Sequence, residues 1–415
     1  MRARTGHRAP YRTTMPAPVE PAVALPIPPA TPADGVLLFM ERLLVLLGQG
    51  SFTTTYKYAL LLALIDLCAD GAGEGKAPST LTTLQVAEKL LTIYWPHSKP
   101  FQGQVLDQSS TRHGGRQARS ELGVLAGIRR LRQRTFPDDT SPFRAKRKDE
   151  RAYLGLVRDV QWILIKQAIP RLQIVGTFLD QFLYDVRWRI ASTTSPVLID
   201  GSRTIGRADV GSEDFDDVLR FQPGVQDHLV QLAPVLRPLI MRQWTLMVER
   251  LNGRSGELLL EDHLFGQERS SLAELQPGLL SMQEGRCFYC CHLPRGAPLQ
   301  VDHFLPWARH PEDALGNLVV AHARCNLNKS DFIADIPHAL AWANRDAAAL
   351  QALAAERRWP LGRRRTLSAA AMVYGRLRPG MRLWTADGNL VGSGDPAPLL
   401  QALRSALAAS AAFPD

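Results

Sequence analysis

The sequence lacks a hydrophobic run long enough to cross a membrane. Its most apolar stretch, 36–47, is interrupted by Glu41 and Arg42, whereas a spanning helix needs about 20 apolar residues. The first 34 residues carry arginines and then prolines, without the continuous apolar segment of a secretory signal. This arginine-rich, acid-poor start weakly resembles a transit peptide, but a disordered proline-rich extension over 1–34 is the better interpretation. We therefore predict no membrane partner.

Cysteine is also scarce, with five residues in a chain of 415. Cys68 stands alone, and the other four lie between Cys287 and Cys325. An odd number, clustered in one short segment of a large chain, indicates metal ligation in a reducing compartment rather than a disulfide framework. The pattern predicts a cytoplasmic protein.

Acidic residues are outnumbered, with 40 Asp and Glu against 49 Lys and Arg, so the formal net charge is +9. Two segments concentrate the excess: 112–151 has twelve basic and five acidic residues, and 357–382 has eight arginines and no acid. Such a density can neutralise phosphates; the alternative is a solvated basic face without a partner. The candidate nucleic-acid contacts in these segments are Arg129, Arg130, Arg132, Arg363, Arg364 and Arg365.

The other proportions, 45% hydrophobic and 21% charged residues, are those of an ordinary globular protein. The spacing of apolar residues predicts a mainly α-helical chain. The clearest predicted helices are 36–47, 56–68, 84–95, 339–345, 347–358 and 399–408. Thr83 is the expected cap of the third of these helices.

Other segments are less regular. We expect a loop at 144–148, a short strand or irregular connection at 195–223, and a helix broken by Pro234 and Pro238 that runs on to Asn252. Residues 382–391 contain an Asp-Gly pair between short apolar segments, which is typical of a β-hairpin turn.

Two pairs of soft metal ligands stand 32 residues apart, Cys287 with Cys290 and His322 with Cys325. Each pair has the spacing that lets two side chains of one turn reach one ion, and four sulfur and nitrogen ligands suit a closed tetrahedral Zn²⁺ site. The alternative, reduced cysteines that never meet, would need both pairs to arise by chance. Cys291 is a neighbouring candidate, but the spacing favours Cys290.

Polar residues suited to hydrolysis lie between and after these pairs. Asp302 and His303 follow a short apolar run, as at the end of a strand, and Asn317 precedes a second apolar run. Asn326 and Lys329 would share one face of a following helix, because they are three residues apart. The order predicts a strand, loop, strand and helix with a carboxylate, an imidazole and a carboxamide close together.

Over 286–332 these motifs resemble the HNH (His-Asn-His) endonuclease family in its zinc-stapled subclass, which has the ββα-metal fold. The resemblance implies that His303 is the general base and that Asp302 and Asn326 hold a catalytic divalent ion. It implies further that Asn317 holds the loop after the base and that Lys329 meets phosphate. Many relatives have cysteine where this chain has His322, so the resemblance implies three thiolates and one imidazole on the structural zinc.

The chemistry is consistent with these assignments. A histidine can accept a proton from water near neutral pH, and a hard divalent ion such as Mg²⁺ can bind the phosphate and stabilise the leaving oxygen. The sequence thus favours a metal-dependent nuclease acting on nucleic acid, with DNA favoured. Cleavage of one strand and cleavage of both strands are both compatible with the sequence.

The resemblance also implies a role in restriction or anti-phage defence, with protein partners in such a system. The alternative function is a non-catalytic, zinc-stabilised module that binds nucleic acid or protein inside a sensor protein. The expected organisation has four parts: the extension 1–34, a helical domain 35–238 with the first basic segment, a linker helix with the nuclease domain at 239–335, and an arginine-rich helical and hairpin region at 336–415.

Overall fold

The computed structural model of the protein describes residues 32–50, 52–71, 77–109, 123–135, 142–176, 178–192, 197–254, 256, 258–265, 272–378 and 380–410. Most of the expected N-terminal extension and part of the first basic segment lie outside these ranges. Among the helices in these ranges, none is long and apolar enough to cross a membrane. Helices predominate and the sheets are small, which confirms the prediction of a mainly α protein.

The first part of the chain is a layered helical assembly. Its helices are α1 (Pro32–Gln49), α2 (Tyr56–Asp70), α3 (Thr83–Tyr94), α4 (Gly123–Arg134), α5 (Pro142–Lys148), α6 (Glu150–Ile163), α7 (Ile169–Leu172), α8 (Val225–Asn252) and α9 (Leu258–Phe265). Helix α2 is buried on nearly all sides, because its sequence is apolar all round rather than along one stripe. It therefore forms the centre of this part.

One short strand precedes α3, and seven more fill the connection between α7 and α8; all their pairings are antiparallel. They are β1 (Thr80–Thr82), β2 (Ile174–Val175), β3 (Phe178–Leu179), β4 (Tyr184–Asp185), β5 (Trp188–Ile190), β6 (Leu198–Asp200), β7 (Arg203–Ile205) and β8 (Val218–Phe221). They form sheets in the orders β1-β8-β4, β2-β3 and β5-β6-β7. The sequence indicated at most one short strand within 195–223, because strands of two to four residues are too short to show an alternating pattern.

Three local predictions need correction. Helix α8 is continuous through Pro234 and Pro238, although each proline removes a helical hydrogen bond; burial of one face of α8 against α2 compensates for these losses. This helix also runs across the expected domain boundary at 238. Residues 144–148 belong to helix α5 rather than to a loop. The cap of α3 is Thr82, whose side chain accepts a hydrogen bond from the backbone of Gln85 in a capping box.

The second part of the chain carries the predicted strand and helix motif. Its elements are α10 (Gln276–Met282), β9 (Leu299–His303), β10 (Leu318–His322), α11 (Ala323–Lys329), α12 (Ile336–Ala343), α13 (Ala347–Arg357), α14 (Arg363–Gly375), β11 (Arg382–Trp384), β12 (Leu390–Gly392) and α15 (Ala397–Ser410). Strands β11 and β12 pair antiparallel around the Asp-Gly turn, which confirms the predicted hairpin.

The buried apolar side chains form three clusters. The largest belongs to the elements from α1 to α9 and also takes in Met372 of α14. The second surrounds α12, α14 and α15 together with Cys287, and the third lies under β9 and β10. Because Met372 packs into the first cluster, the helical part and the second part share an apolar contact.

Candidate active site

Strands β9 and β10 pair antiparallel and α11 follows β10 directly. The register places His303 opposite Leu318 and Asp302 opposite Val319. The alternating pattern of a strand turns successive side chains to opposite faces, and helix α11 contacts both strands. The observed order of strand, strand and helix is the one that the sequence predicts.

The four predicted zinc ligands come together. The ligand atoms of Cys287, Cys290, His322 and Cys325 all lie within 4.8 Å of one another, and the Cys290 Sγ and His322 Nδ1 atoms are 3.3 Å apart. Three thiols and one imidazole at this separation fit a tetrahedral Zn²⁺ ion. The neighbouring Cys291 is exposed and has a positive φ, and its thiol is not part of the cluster.

The charge state of the thiols supports the same fit. Burial, with the thiols of Cys287 and Cys290 close by, raises the pKa of Cys325 to about 12. Such a group stays neutral near pH 7 unless a cation offsets the cost of the thiolate. The cluster therefore has the donor chemistry of a metal site, and a cation would hold the turn of 287–292 against the start of α11.

Asp302 is buried and its two oxygens differ. Oδ2 accepts a hydrogen bond of 2.5 Å from the Tyr289 hydroxyl and lies 3.2 Å from the Lys329 ammonium. Burial and the neighbouring Asp302 raise the pKa of Tyr289 well above its ordinary value, so the phenol keeps its proton and remains a donor. Oδ1 accepts no hydrogen bond from the described part of the chain. One oxygen of the carboxylate is thus fixed and the other is available to a ligand.

His303 is 5% exposed and contacts a second carboxylate. Its Nε2 atom lies 2.8 Å from Oδ1 of Asp313, and its ring lies 5.3 Å from the ring of Trp307. When Nε2–H donates to Asp313, the neutral imidazole carries its lone pair on Nδ1. This is the tautomer in which Nδ1 can accept a proton.

Asn317 connects the two strands to the loop that follows His303. Its Oδ1 accepts from the backbone N–H of Leu305 at 2.8 Å, and its Nδ2 donates to the carbonyl of Leu305 at 3.1 Å. Both bonds are buried, so the side chain fixes the path of the chain two residues after the base.

Asn326 lies on the first turns of α11, facing β9. Its Nδ2 donates to Oε1 of Gln300 at 2.9 Å, and Gln300 is on the same face of β9 as Asp302 because the two residues are two positions apart. Its Oδ1 has no hydrogen-bond partner among the described residues. The carboxamide oxygen of Asn326 and Oδ1 of Asp302 are therefore both open to a cation.

Lys329 differs from its expected role. It is fully buried, and its ammonium group donates to the carbonyl of His303 at 2.8 Å as well as pairing with Asp302. In this position it supports the end of β9 from the inside, and a contact with phosphate does not fit its burial.

Two of the predicted arginine contacts also need correction. Arg132 is 4% exposed and donates to Ser98, and Arg363 is 6% exposed and donates to the carbonyl of Ala343. Both guanidinium groups satisfy interior acceptors, so neither forms part of a surface for nucleic acid. Arg365 is half-buried and pairs with Glu312.

The other arginines lie nearer the surface. Arg129 is half-buried, whereas Arg130 and Arg364 are exposed. Exposure leaves Arg130 and Arg364 as candidates for contact with phosphate.

Sequence reasoning missed Tyr289 and Asp313. Tyr289 lies between two of the clustered cysteines, where an aromatic residue suggests only packing, and Asp313 lies ten residues after His303 in an irregular loop. A tyrosine inside a metal-binding turn is a weak signal that its hydroxyl faces the site. Nothing in the sequence around Asp313 indicated its contact with His303 before the fold was known.

Comparison with known proteins gives one match. Residues 289–334 match the family model described as HNH endonuclease. No curated protein matches the chain, and no solved structure matches it. The matched segment contains β9, β10 and α11 together with three of the four clustered ligands. The part of the chain that contains Asp302, His303 and most of the Cys3His cluster is therefore similar to the HNH endonuclease family.

Proposed function

We propose that the protein is a metal-dependent endonuclease that hydrolyses phosphodiester bonds, with DNA as the favoured substrate. The observation that carries the proposal is the position of Asp302, His303 and Asn326 on facing elements that the Cys3His cluster holds together. In the proposed fold, β9, β10 and α11 correspond to the ββα-metal fold of the family. The cluster would bind Zn²⁺ in a structural role.

Each of these side chains has a separate role in the proposed reaction. His303 accepts the proton of a water molecule at Nδ1, and the Asp313 carboxylate holds the resulting imidazolium through Nε2–H. The water oxygen forms a bond to phosphorus while the bond from phosphorus to the 3′ oxygen breaks. Oδ1 of Asp302 and the carboxamide oxygen of Asn326 would hold a hard divalent ion such as Mg²⁺, which supplies charge stabilisation at the phosphate.

A basic element close to this site supports a nucleic-acid substrate. The guanidinium of Arg144 in α5 lies over the ring of Trp359 at 5.6 Å from its centroid. The indole of Trp359 donates to the backbone oxygen of Asp313 at 2.6 Å. Helix α5 also exposes Arg147 and Lys148, so positive charge lies beside the loop that contacts the base, where it would contact the backbone of DNA without reading bases.

The test is cleavage of supercoiled plasmid in the presence of Mg²⁺. We expect wild type to nick or cut the plasmid, and His303→Ala to lose about 100-fold or more in rate, the usual contribution of a general base. The exposed His292 in the same domain is a matched control, and His292→Ala should keep wild-type activity.

Four further outcomes separate the alternatives. Cleavage that EDTA stops while zinc content stays intact would show that hydrolysis needs a second ion besides the one in the cluster. Equal rates for wild type and His303→Ala would remove His303 from the mechanism. DNA binding without any hydrolysis would favour the non-catalytic binding module, and cleavage of RNA alone would exclude DNA as the substrate.

A role in restriction or anti-phage defence belongs to the same proposal. The resemblance of the nuclease domain supports it, and a protein partner in such a system would act through the helical part. Loss of protection against phage in cells that carry His303→Ala, compared with cells that carry wild type, would support this role.

A further inference from the structure

A buried group of charged side chains joins the helical part to the loop 304–314, which follows the proposed base. His310 of this loop is 1% exposed, and its imidazole lies between two carboxylates. Nδ1 is 3.3 Å from Oδ1 of Asp70, the last residue of α2, and Nε2 is 3.5 Å from Oε2 of Glu312. The hydroxyl of Thr366 in α14 is 3.3 Å from Nε2. The imidazole thus contacts α2 and α14 as well as its own loop.

Each carboxylate has a cation of its own. Lys89 of α3 lies 2.6 Å from Oδ2 of Asp70, and Arg365 of α14 lies 2.6 Å from Oε1 of Glu312. Burial alone would raise the pKa of Asp70, but Lys89 and His310 lower it below its ordinary value. The Asp70 carboxylate is therefore ionised near neutral pH, and it lies against the imidazole.

The charge balance argues against a metal ion here. Asp70, His310 and Glu312 offer ligand atoms within 4.8 Å of one another. The two negative charges, however, are already balanced by Lys89 and Arg365. A divalent cation would add two uncompensated charges to a buried site, which is costly. The group fits an ionic junction between two parts of the chain better than a metal centre.

The junction lies next to the residue that contacts the base. Glu312 faces His310, and the adjacent Asp313 lies 2.8 Å from Nε2 of His303. The indole of Trp359 holds the backbone oxygen of Asp313 from the other side. A shift of His310 would therefore displace Asp313, because only two residues separate them along the chain.

We propose that His310, held by Asp70, is a positioning residue of the nuclease. It fixes the loop that delivers Asp313 to His303, and the helical part thereby sets the orientation of the base. This inference rests on the proposed endonuclease function. It gives the helical part a direct contribution to catalysis that does not require contact with the substrate.

The experiment uses the full chain with His310→Gln, Asp313→Asn and the double variant, with kcat and KM measured on plasmid DNA with Mg²⁺. We expect His310→Gln to lower kcat about 10-fold or more with KM and zinc content unchanged, since small misplacements of a catalytic group have large effects on rate. In the double variant the loss should be close to that of Asp313→Asn alone, because both changes interrupt one connection.

The fully buried His97 provides a control for the loss of an interior histidine. His97→Gln should lower stability without changing kcat. If His310→Gln does not fold, Asp70→Asn takes its place, because it changes the junction from the helical side and should lower kcat in the same way. Multiplicative effects in the double variant, an unchanged kcat, or a second bound metal ion that His310→Gln abolishes would each overturn the inference.

Failure of the proposed endonuclease function can be distinguished from failure of the inference about His310. If wild type cleaves no nucleic acid, the endonuclease proposal fails, and amide hydrogen exchange of loop 304–314 still reports on the junction. Faster exchange of this loop in His310→Gln than in His97→Gln would support its holding role, and equal exchange would overturn it.

Discussion

Asp302 has two oxygens in different surroundings, and this difference decides what its carboxylate can do. Tyr289 and Lys329 both contact Oδ2, so the carboxylate is held through this oxygen, and Oδ1 accepts no hydrogen bond from the described residues. Such outer contacts orient a metal ligand and typically change metal affinity by about 10–100-fold when removed. The phenol and the ammonium therefore belong to the proposed metal site although neither would touch the ion.

We predict that Tyr289→Phe weakens the apparent affinity of the cleavage reaction for Mg²⁺. The concentration of Mg²⁺ for half-maximal rate should rise about 10-fold, because the carboxylate loses one of its two contacts, and the rate at saturating Mg²⁺ should change less. Titration of the initial rate with Mg²⁺ measures the effect.

Tyr374→Phe is the matched control for this prediction. Tyr374 is buried in the same part of the chain, and its hydroxyl donates to the backbone oxygen of Ala334 at 2.9 Å rather than to Asp302. An equal Mg²⁺ dependence in Tyr289→Phe and wild type would show that the phenol does not act on the carboxylate.

At the scale of single residues, the sequence predicted the candidate site residues that stand at characteristic spacings. Asp302, His303 and Asn326 are recognisable because they follow strand and helix patterns at fixed intervals from the zinc ligands. Asp313 and His310 are not recognisable, because their partners are set by the path of an irregular loop and by contacts with α2. The burial of Lys329 and Arg132 could not be predicted either, since a basic residue is expected to be exposed to solvent until its surroundings are known.

At the scale of elements, the turn 287–292 and the start of α11 are short and have little secondary structure of their own. The backbone N–H of Phe288 donates to the carbonyl of Val320 at 2.9 Å, and that of Cys287 donates to the carbonyl of His292 at 3.0 Å. Helix α11 has seven residues, too few to be stable alone. The cation that the cluster would hold is thus the main connection between the turn and the helix.

We predict that Cys290→Ser removes bound zinc and unfolds the nuclease domain at a lower temperature. Loss of one thiolate from a closed structural site removes much of the folding free energy that the metal supplies. Zinc content by elemental analysis and the thermal unfolding midpoint measure the two effects. Cys291→Ser, one residue further along and exposed, should match wild type in both; a zinc loss in Cys291→Ser instead would reassign the ligand.

Helices and strands were predictable where their sequence pattern extended over many residues. The apolar helices and the hairpin at 382–391 appeared where the sequence placed them, and the four-ligand cluster came from spacing alone. The sheets between α7 and α8 were missed because each strand is so short. The continuous path of α8 through two prolines was missed because its apolar face packs against α2, a tertiary contact that outweighs local preference.

At the scale of the whole molecule, the largest core is built around a buried aromatic group with a histidine inside it. His97 is fully buried, 4.7 Å from the ring of Trp244 and 5.2 Å from that of Phe265. Gln108 donates from Nε2 to Nδ1 of His97 at 3.2 Å. Residues from three separated segments meet at this imidazole, so its charge state affects the stability of the core as a whole.

Burial lowers the pKa of His97 to about 3, whereas an unfolded histidine has a pKa of about 6.5. Between these values the unfolded chain binds a proton that the folded protein does not bind. The contribution of His97 to stability is therefore fully present above pH 6.5 and falls as the pH drops towards 3, by about 1.4 kcal/mol per pH unit. We predict that the free energy of unfolding of wild type decreases on acidification from pH 6.5 to pH 4.5 more steeply than that of His97→Gln.

Urea unfolding at a series of pH values measures the two slopes. The absolute stability of His97→Gln should be lower at pH 7.5, because a well-packed ring is lost, but the gap between the two proteins should narrow on acidification. His292→Gln serves as the control, since His292 is exposed and its titration should leave the slope unchanged. Parallel slopes for wild type and His97→Gln would mean that water reaches His97 and that this core is looser than its packing indicates.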